Sequence, residues 1–157
     1  MKHTISVLVE NKFGVLARIS GLFSARGFNI ASLAVGETED PAVSRMTIVV
    51  DAKDERILDQ IKKQLHKLID VLTVLDLSDK EFFDRELVLF KLNFTGNDKQ
   101  RIEDLLNKLP AKILEEKEDY VIIEICSSRK INQAALDKLK IFGIRELTRA
   151  GTVAIIK

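Results

Sequence analysis

Hydrophobic positions along this chain switch repeatedly between a period of two and a period near 3.6, and the switches divide it into elements. Residues 3–10 alternate, with Ile5, Val7 and Val9 on one side, which predicts a strand. Over 14–25 the apolar residues Leu16, Ile19, Leu22 and Phe23 fall on one helical face. Arg26-Gly27 closes that helix with a cation in the last turn and a glycine able to take the left-handed cap. Residues 29–37 predict a second strand with Ala31, Leu33 and Val35 inward. Glu39-Asp40-Pro41 turns the chain into a third strand at 44–50, where Met46, Ile48 and Val50 alternate. Residues 54–68 are helical through Ile57, Ile61, Leu65 and Leu68, and 71–77 form a fourth strand. The order β-α-β-β-α-β is the split, ferredoxin-like unit.

After a polar, acidic stretch at 78–84 the same order recurs. Residues 85–94 alternate, and Asn97-Asp98-Lys99-Gln100 resembles a capping box opening a helix through Ile102, Leu105, Leu106 and Leu109, which Pro110 ends. Strands follow near 111–116 and 120–127, then a helix over 128–140 with Ile131, Ala135 and Leu139. Closing strands at 143–148 and 152–156 flank an Ala150-Gly151 turn. The expected fold class is α+β, two ferredoxin-like βαββαβ domains in tandem: 1–78, a linker at 79–84, and 85–157. Units of about 75 residues have marginal cores on their own, and this strand order leaves edges and one sheet face uncovered. Ser32, Ala34 and Gly36 make one face of the second strand small and approachable, so a homodimer is expected.

Composition narrows the function. Hydrophobic residues make up 46% and charged residues 31%, which excludes intrinsic disorder. Twenty-five basic against twenty-four acidic residues give a net charge of +1, so no electrostatic case exists for nucleic acid or an anionic membrane as partner. No apolar run approaches the roughly 20 residues of a membrane span, and because the N-terminus runs straight into strand-like sequence no signal peptide is expected. With Cys126 as the single cysteine, a cytoplasmic location is expected. Cys126 reads as a small buried hydrophobe, and His3 and His66 lack ligand spacing, so no metal site is expected.

The candidate chemistry lies in Glu10-Asn11-Lys12-Phe13-Gly14-Val15-Leu16, which joins the first strand to the first helix. Free backbone N–H groups and the positive helix end can hold a carboxylate there. Asn11 offers both a carbonyl and an amide, and Gly14 lets a ligand approach the backbone. Asn29, expected on the same side of the sheet, could complete a polar shell within one subunit or across a dimer edge. Leu16, Ile30 and Leu33 are the nearby candidates for an aliphatic pocket. Asn and Gly are also the commonest turn residues, and on local sequence alone the turn-and-cap role outranks binding for Asn11 and Gly14, more so for Asn29. Gly21 reads as a site of close helix packing and Arg18 as a surface cation.

Several segments carry a family resemblance. Val9-Glu10-Asn11 with Gly14-Val15-Leu16-Ala17-Arg18 and Gly21 through Ile30 resembles the ACT-domain start of acetolactate synthase small subunits. Asp40-Pro41-Ala42-Val43-Ser44-Arg45-Met46-Thr47 and Gln64-Leu65-His66-Lys67-Leu68 are similar to segments specific to that family, and the match covers most of 1–77. Arg85-Glu86-Leu87 and Arg149-Ala150-Gly151 resemble its C-terminal domain. The resemblance implies a non-catalytic regulatory chain. Its dimer would bind valine or a related branched-chain amino acid between paired ACT domains, activate a large catalytic subunit and confer feedback inhibition in valine, leucine and isoleucine synthesis. It implies no cofactor in this chain; thiamine diphosphate, magnesium and FAD belong to the large subunit. It places Asn11, Gly14, Val15, Leu16, Asn29 and Ile30 at the effector, with Ala17, Leu33 and Gly36 shaping the site. Ala17 departs from the serine frequent there, and Lys12-Phe13 from a more polar pair.

Three other classes compete. A free-standing ACT sensor of another enzyme or a transcription factor would share the loop but not the long matching segments. A phosphate-handling enzyme on this fold needs an arginine in the first loop, where only Lys12 stands, and no nucleophile–base set is present. An RNA-binding module shows aromatics on its central strands, and residues 4–10 and 44–50 have none.

Overall fold

In the computed structural model, which describes residues 2–52 and 55–157 (at Asn97 the backbone only), the period-two runs become strands and the 3.6-period runs helices. The first repeat is β1 (Lys2–Glu10), α1 (Val15–Ala25), β2 (Ile30–Glu37), β3 (Val43–Asp51), α2 (Glu55–Leu65) and β4 (Val71–Asp76). Asp54, expected at the head of α2, lies outside the described residues. The strands form one antiparallel sheet in the order β2-β3-β1-β4. Ile5, Val7 and Val9 of β1 and Met46, Ile48 and Val50 of β3 meet Ile19, Leu22 and Phe23 of α1 and Leu58, Ile61 and Leu65 of α2 in one buried cluster. No helix among the described residues is long and apolar enough to cross a membrane.

The end of α1 forms as its sequence predicts. Gly27 takes φ 66°, its N–H donates to Ser24 O at 3.1 Å and the Phe28 N–H to Phe23 O at 3.0 Å. These are the paired bonds of a Schellman cap, and the accompanying apolar contact is the edge-on packing of Phe28 on Phe23 at 6.3 Å. Arg26 Nη2 then donates to Gln64 Oε1 at 2.7 Å, tying α1 to α2.

Three expectations in this unit change. The core stripe of α1 starts at Val15, 3% exposed, while Leu16 is 45% exposed; the helix begins one residue after Gly14, so 15, 19, 22 and 23 share the inner face. In β2, Ala31 does not point inward. The register against β3 shifts between Ile30 and Ser32, a bulge that leaves Ala31 unpaired and puts Ile30 and Leu33 on the core side. Val35 shares that face but is 48% exposed. Gly21 does not mark close packing, since a Cβ added there meets nothing within 4 Å.

Asp76, at the end of β4, is a built acid-sensitive point. Burial pushes its carboxyl pKa up, but hydrogen bonds from the Ser78 N–H and hydroxyl and from Lys62 outweigh this and leave it below the ordinary value; Lys62 Nζ stands 3.1 Å away. A depressed folded-state pKa contributes stability that is present above the unfolded value of about 3.9 and lost as pH falls through the folded one. Acid unfolding of Asp76→Asn, followed by circular dichroism, should therefore show a shallower loss of stability below about pH 4 than the parent. Parallel curves would mean that Asp76 contributes nothing.

The second repeat is β5 (Phe82–Asn93), α3 (Lys99–Leu106), β6 (Ala111–Glu116), β7 (Tyr120–Ser127), α4 (Arg129–Leu139) and β8 (Ile144–Arg149), followed by β9 (Val153–Ile156). The order β6-β7-β5-β8 repeats that of the first sheet. Its core is Val88, Phe90 and Leu92 of β5 with Val121, Ile123 and Ile125 of β7, under Ile102 and Leu106 of α3 and Ala135 and Leu139 of α4. Cys126 is exposed, a correction that follows from the pleat: with 121, 123 and 125 inward, 126 must face outward. The expected capping box rests on the Asn97 side chain, which lies outside the described residues; a 3-10 turn at Gly96–Asp98 precedes α3, whose N-cap Asp98 makes no side-chain cap bond.

The chain forms two compact units, Met1–Phe83 with Thr152–Lys157, and Asp84–Gly151. The sequence pattern had put 152–157 in the second domain and 79–84 in a linker; in the structure the first group with the opening unit, and β5 already begins at Phe82. Ser32 explains the C-terminal placement. Its Oγ accepts the Thr152 N–H at 2.8 Å, and the Lys157 N–H donates to Glu81 O at 3.1 Å.

Candidate functional site

The loop between β1 and α1 is held by its neighbours on the sheet. The Asn11 N–H donates to Ala42 O at 2.7 Å, in the β2–β3 turn. Its side-chain Nδ2 donates to Glu37 Oε1 at 3.0 Å and to Pro41 O at 2.9 Å. That turn is itself fixed by Asp40, whose Oδ1 accepts the Ala42 N–H at 2.9 Å. The Asp40-Pro41-Ala42 segment thus builds the wall against which Asn11 rests.

Gly14 caps α1 at φ 81°, ψ −10°, with no side-chain cap and no acidic residue in the first turn. A left-handed backbone of this kind favours glycine. The N–H groups of Leu16 and Ala17, in that first turn, have no intrahelical acceptor, and the helix dipole makes this end electropositive. Val15 is different: its side chain is core and its N–H donates to Lys12 O at 3.4 Å. Lys12 turns aside onto Glu10 at 2.7 Å, a contact that raises its pKa through hydrogen bond and charge together.

Arg18 is more than a surface cation. Its Nε donates to the buried Asp70 at 2.7 Å, and a Cβ built on Gly14 would stand 3.0 Å from its Nη1. A guanidinium therefore lies over the uncapped helix end. Sequence pattern missed Arg18, Asp70, Glu37 and Pro41; the signal available was the Asp40-Pro41 segment, which carried the family resemblance.

Asn29 is not beside this loop within one chain. Asn29 precedes the first residue of β2 and its carbonyl accepts the Asp51 N–H at 3.3 Å, whereas Asn11 bonds to Glu37, the last residue of β2. At about 3.3 Å per residue the two ends of β2 lie roughly 25 Å apart. Ile30 shares the Asn29 end, half-buried, while Leu33 packs on the core in mid-strand. Gly36 and Ala17 are exposed. β2 is one of the two edge strands of its sheet, in the order β2-β3-β1-β4. Its even-numbered face borders a cleft of about 400 Å³ lined by Ala34, Gly36, Arg45, Thr47, Val153 and Ile155, so the small-residue face is partly covered by the chain's own C-terminal strand.

In the second unit, the residues of the matching segments form a buried polar knot. Asn132, fully buried, donates through Nδ2 to Glu86 O at 2.7 Å and Ser127 O at 3.3 Å. Arg149 Nε stands 3.7 Å from the Glu86 carboxylate, and the Ala150 N–H donates to Leu87 O at 2.9 Å. These contacts tie β5, β7, α4 and β8 together.

A ferredoxin-like sheet with a glycine-capped, electropositive first loop and a second unit of the same topology defines the ACT-domain class. Residues 5–73 match the model of the small subunit-like ACT domain of acetolactate (acetohydroxyacid) synthase, and residues 85–157 that of the small subunit of acetolactate synthase. The probable acetolactate synthase small subunit of Archaeoglobus fulgidus is 44% identical over 157 residues, all of this chain and 98% of that protein. The acetolactate synthase small subunit of Mycobacterium bovis is 44% identical over 153 residues, 98% of this chain and 90% of its own. A crystal structure of the small subunit from Thermotoga maritima superposes with a TM-score of 0.86 at 37% identity, covering 100% of this chain and 98% of that one. The chain belongs to the acetolactate synthase small-subunit family.

Proposed function

We propose that this chain is the regulatory partner of a large catalytic subunit, and that it senses valine or a related branched-chain amino acid at the mouth of α1. The observation that carries the reading is the pairing of an uncapped helix end, overhung by Arg18, with the Asn11 carboxamide at the same loop. A zwitterion fits both: its carboxylate faces the helix N–H groups and guanidinium, and its ammonium faces the Asn11 oxygen. Leu16, half exposed at that mouth, offers apolar contact to a branched side chain.

The site closes only in a dimer. Antiparallel pairing of two outermost β2 strands about a two-fold axis sets the start of one beside the end of the other. Asn29 and Ile30 of one copy then stand beside Asn11 and Gly14 of the next. Valine binding and catalytic activity are linked because the effector prefers one conformation of the dimer, and a coupling of about 1–3 kcal/mol is typical of such systems. Thiamine diphosphate, magnesium and FAD stay with the large subunit, so this chain supplies no reacting group.

The test is to mix the chain with a candidate catalytic subunit and follow acetolactate formation. Activity should rise on mixing and fall again when valine is added. Neither change, under conditions where the catalytic subunit alone turns over, would refute the regulatory assignment.

A further inference from the structure

We propose that Glu37 and the Pro41 carbonyl act as a clamp that turns the Asn11 carboxamide oxygen toward the ligand, so that the site selects an ammonium-bearing ligand over the matching 2-oxo acid. This rests on the reading of the loop as an amino-acid site. The Asn11 NH2 group has two hydrogens, and two groups face it: Glu37 Oε1 at 3.0 Å and Pro41 O at 2.9 Å. A carboxylate and a peptide carbonyl are both acceptors only, so nitrogen must face them and oxygen must face away. The backbone bond from the Asn11 N–H to Ala42 O at 2.7 Å fixes the residue from a third direction.

With both donors engaged, Asn11 has only lone pairs left to present. An α-ammonium carries three donors and no acceptor, so it meets Oδ1 favourably. A 2-oxo acid presents an oxygen at that position, and two acceptors then face each other with no proton between them. Sites built around one hydrogen-bonding sense reject the opposite sense, because a polar group covered by the ligand is left unmatched. Glu37 adds a negative charge close by, which further favours the net-neutral zwitterion over the net-negative 2-oxo acid. Glu37 is thus a positioning residue for ligand choice.

The test uses the full chain with Glu37→Ala and Glu37→Gln, titrated calorimetrically with valine and with 3-methyl-2-oxobutanoate. The parent should prefer valine by at least about 100-fold, the range expected when a site built for one hydrogen-bonding sense meets the other. Glu37→Ala should narrow that preference by about tenfold, roughly one hydrogen bond to a charged group. Glu37→Gln, whose Oε1 still accepts from Asn11 but which lacks the charge, should narrow the preference less than Glu37→Ala does. The Asn11 side-chain NH2 resonances of the ligand-free chain should move in Glu37→Ala and stay near their parent positions in Glu37→Gln. An unchanged preference in Glu37→Ala overturns the clamp while leaving the amino-acid site standing. No heat from the parent with either ligand overturns the amino-acid reading and the clamp's selective role with it.

Discussion

Mixing the Asn11→Ala and Asn29→Ala variants should restore valine binding that neither variant shows alone. In the proposed site each carboxamide faces a charged group of the ligand, and losing a hydrogen bond to a charged group costs about 1.5–3 kcal/mol, or roughly 10–150-fold in affinity. If every site takes Asn11 from one copy and Asn29 from the other, a mixed dimer has one site lacking both carboxamides and one site intact. Random exchange makes about half of the dimers mixed, so the mixture should bind about one valine per four chains at parental affinity. Titration calorimetry reads both the affinity and the stoichiometry. A mixture that stays silent, or an Asn29→Ala variant that binds like the parent, would dismiss the shared site. The prediction follows from the roughly 25 Å that separates the two residues within one copy, together with the antiparallel pairing proposed for two β2 strands.

Gly14→Asp should abolish valine binding, by more than about 100-fold, for reasons that can be separated from backbone strain. At φ 81° any Cβ is disfavoured, by about 1–2 kcal/mol. The added Cβ would also lie 3.0 Å from Arg18 Nη1. An aspartate there places a carboxylate against the guanidinium and the free N–H groups, the positions the ligand's own carboxylate would take. Gly14→Ala carries the strain without the charge. It should lower the unfolding temperature by about 4–8 °C for each kcal/mol lost and keep valine affinity within about tenfold of the parent. Thermal unfolding and calorimetry on both variants distinguish the two effects. Should Gly14→Asp bind valine normally, the helix mouth is not where the carboxylate sits.

Much of the architecture was legible from period alone. Ile5, Val7 and Val9, and Met46, Ile48 and Val50, are buried as alternation requires, and Phe90 and Ile123 repeat the pattern in the second unit. The Arg26-Gly27 stop worked because the Schellman cap is a local motif whose bonds span six residues. Predictions failed where one residue of offset decided the outcome: the bulge at Ala31, the core stripe of α1 that begins at Val15 rather than Leu16, and the outward turn of Cys126. A one-residue shift leaves local periodicity almost unchanged but sends a side chain to the other face.

The chain's own pattern was enough to specify two βαββαβ repeats, the glycine at the helix mouth and the segments that place it in its family, because each depends on neighbours within a few residues. Only tertiary structure could set Glu37 and Pro41 on Asn11, Arg18 on Asp70 and Ser32 on Thr152, contacts that join residues 26 to 120 positions apart. It also set Asn29 at the far end of β2 from the loop. Sequence spacing carries no information on which strand ends meet; that follows from the antiparallel order of the sheet.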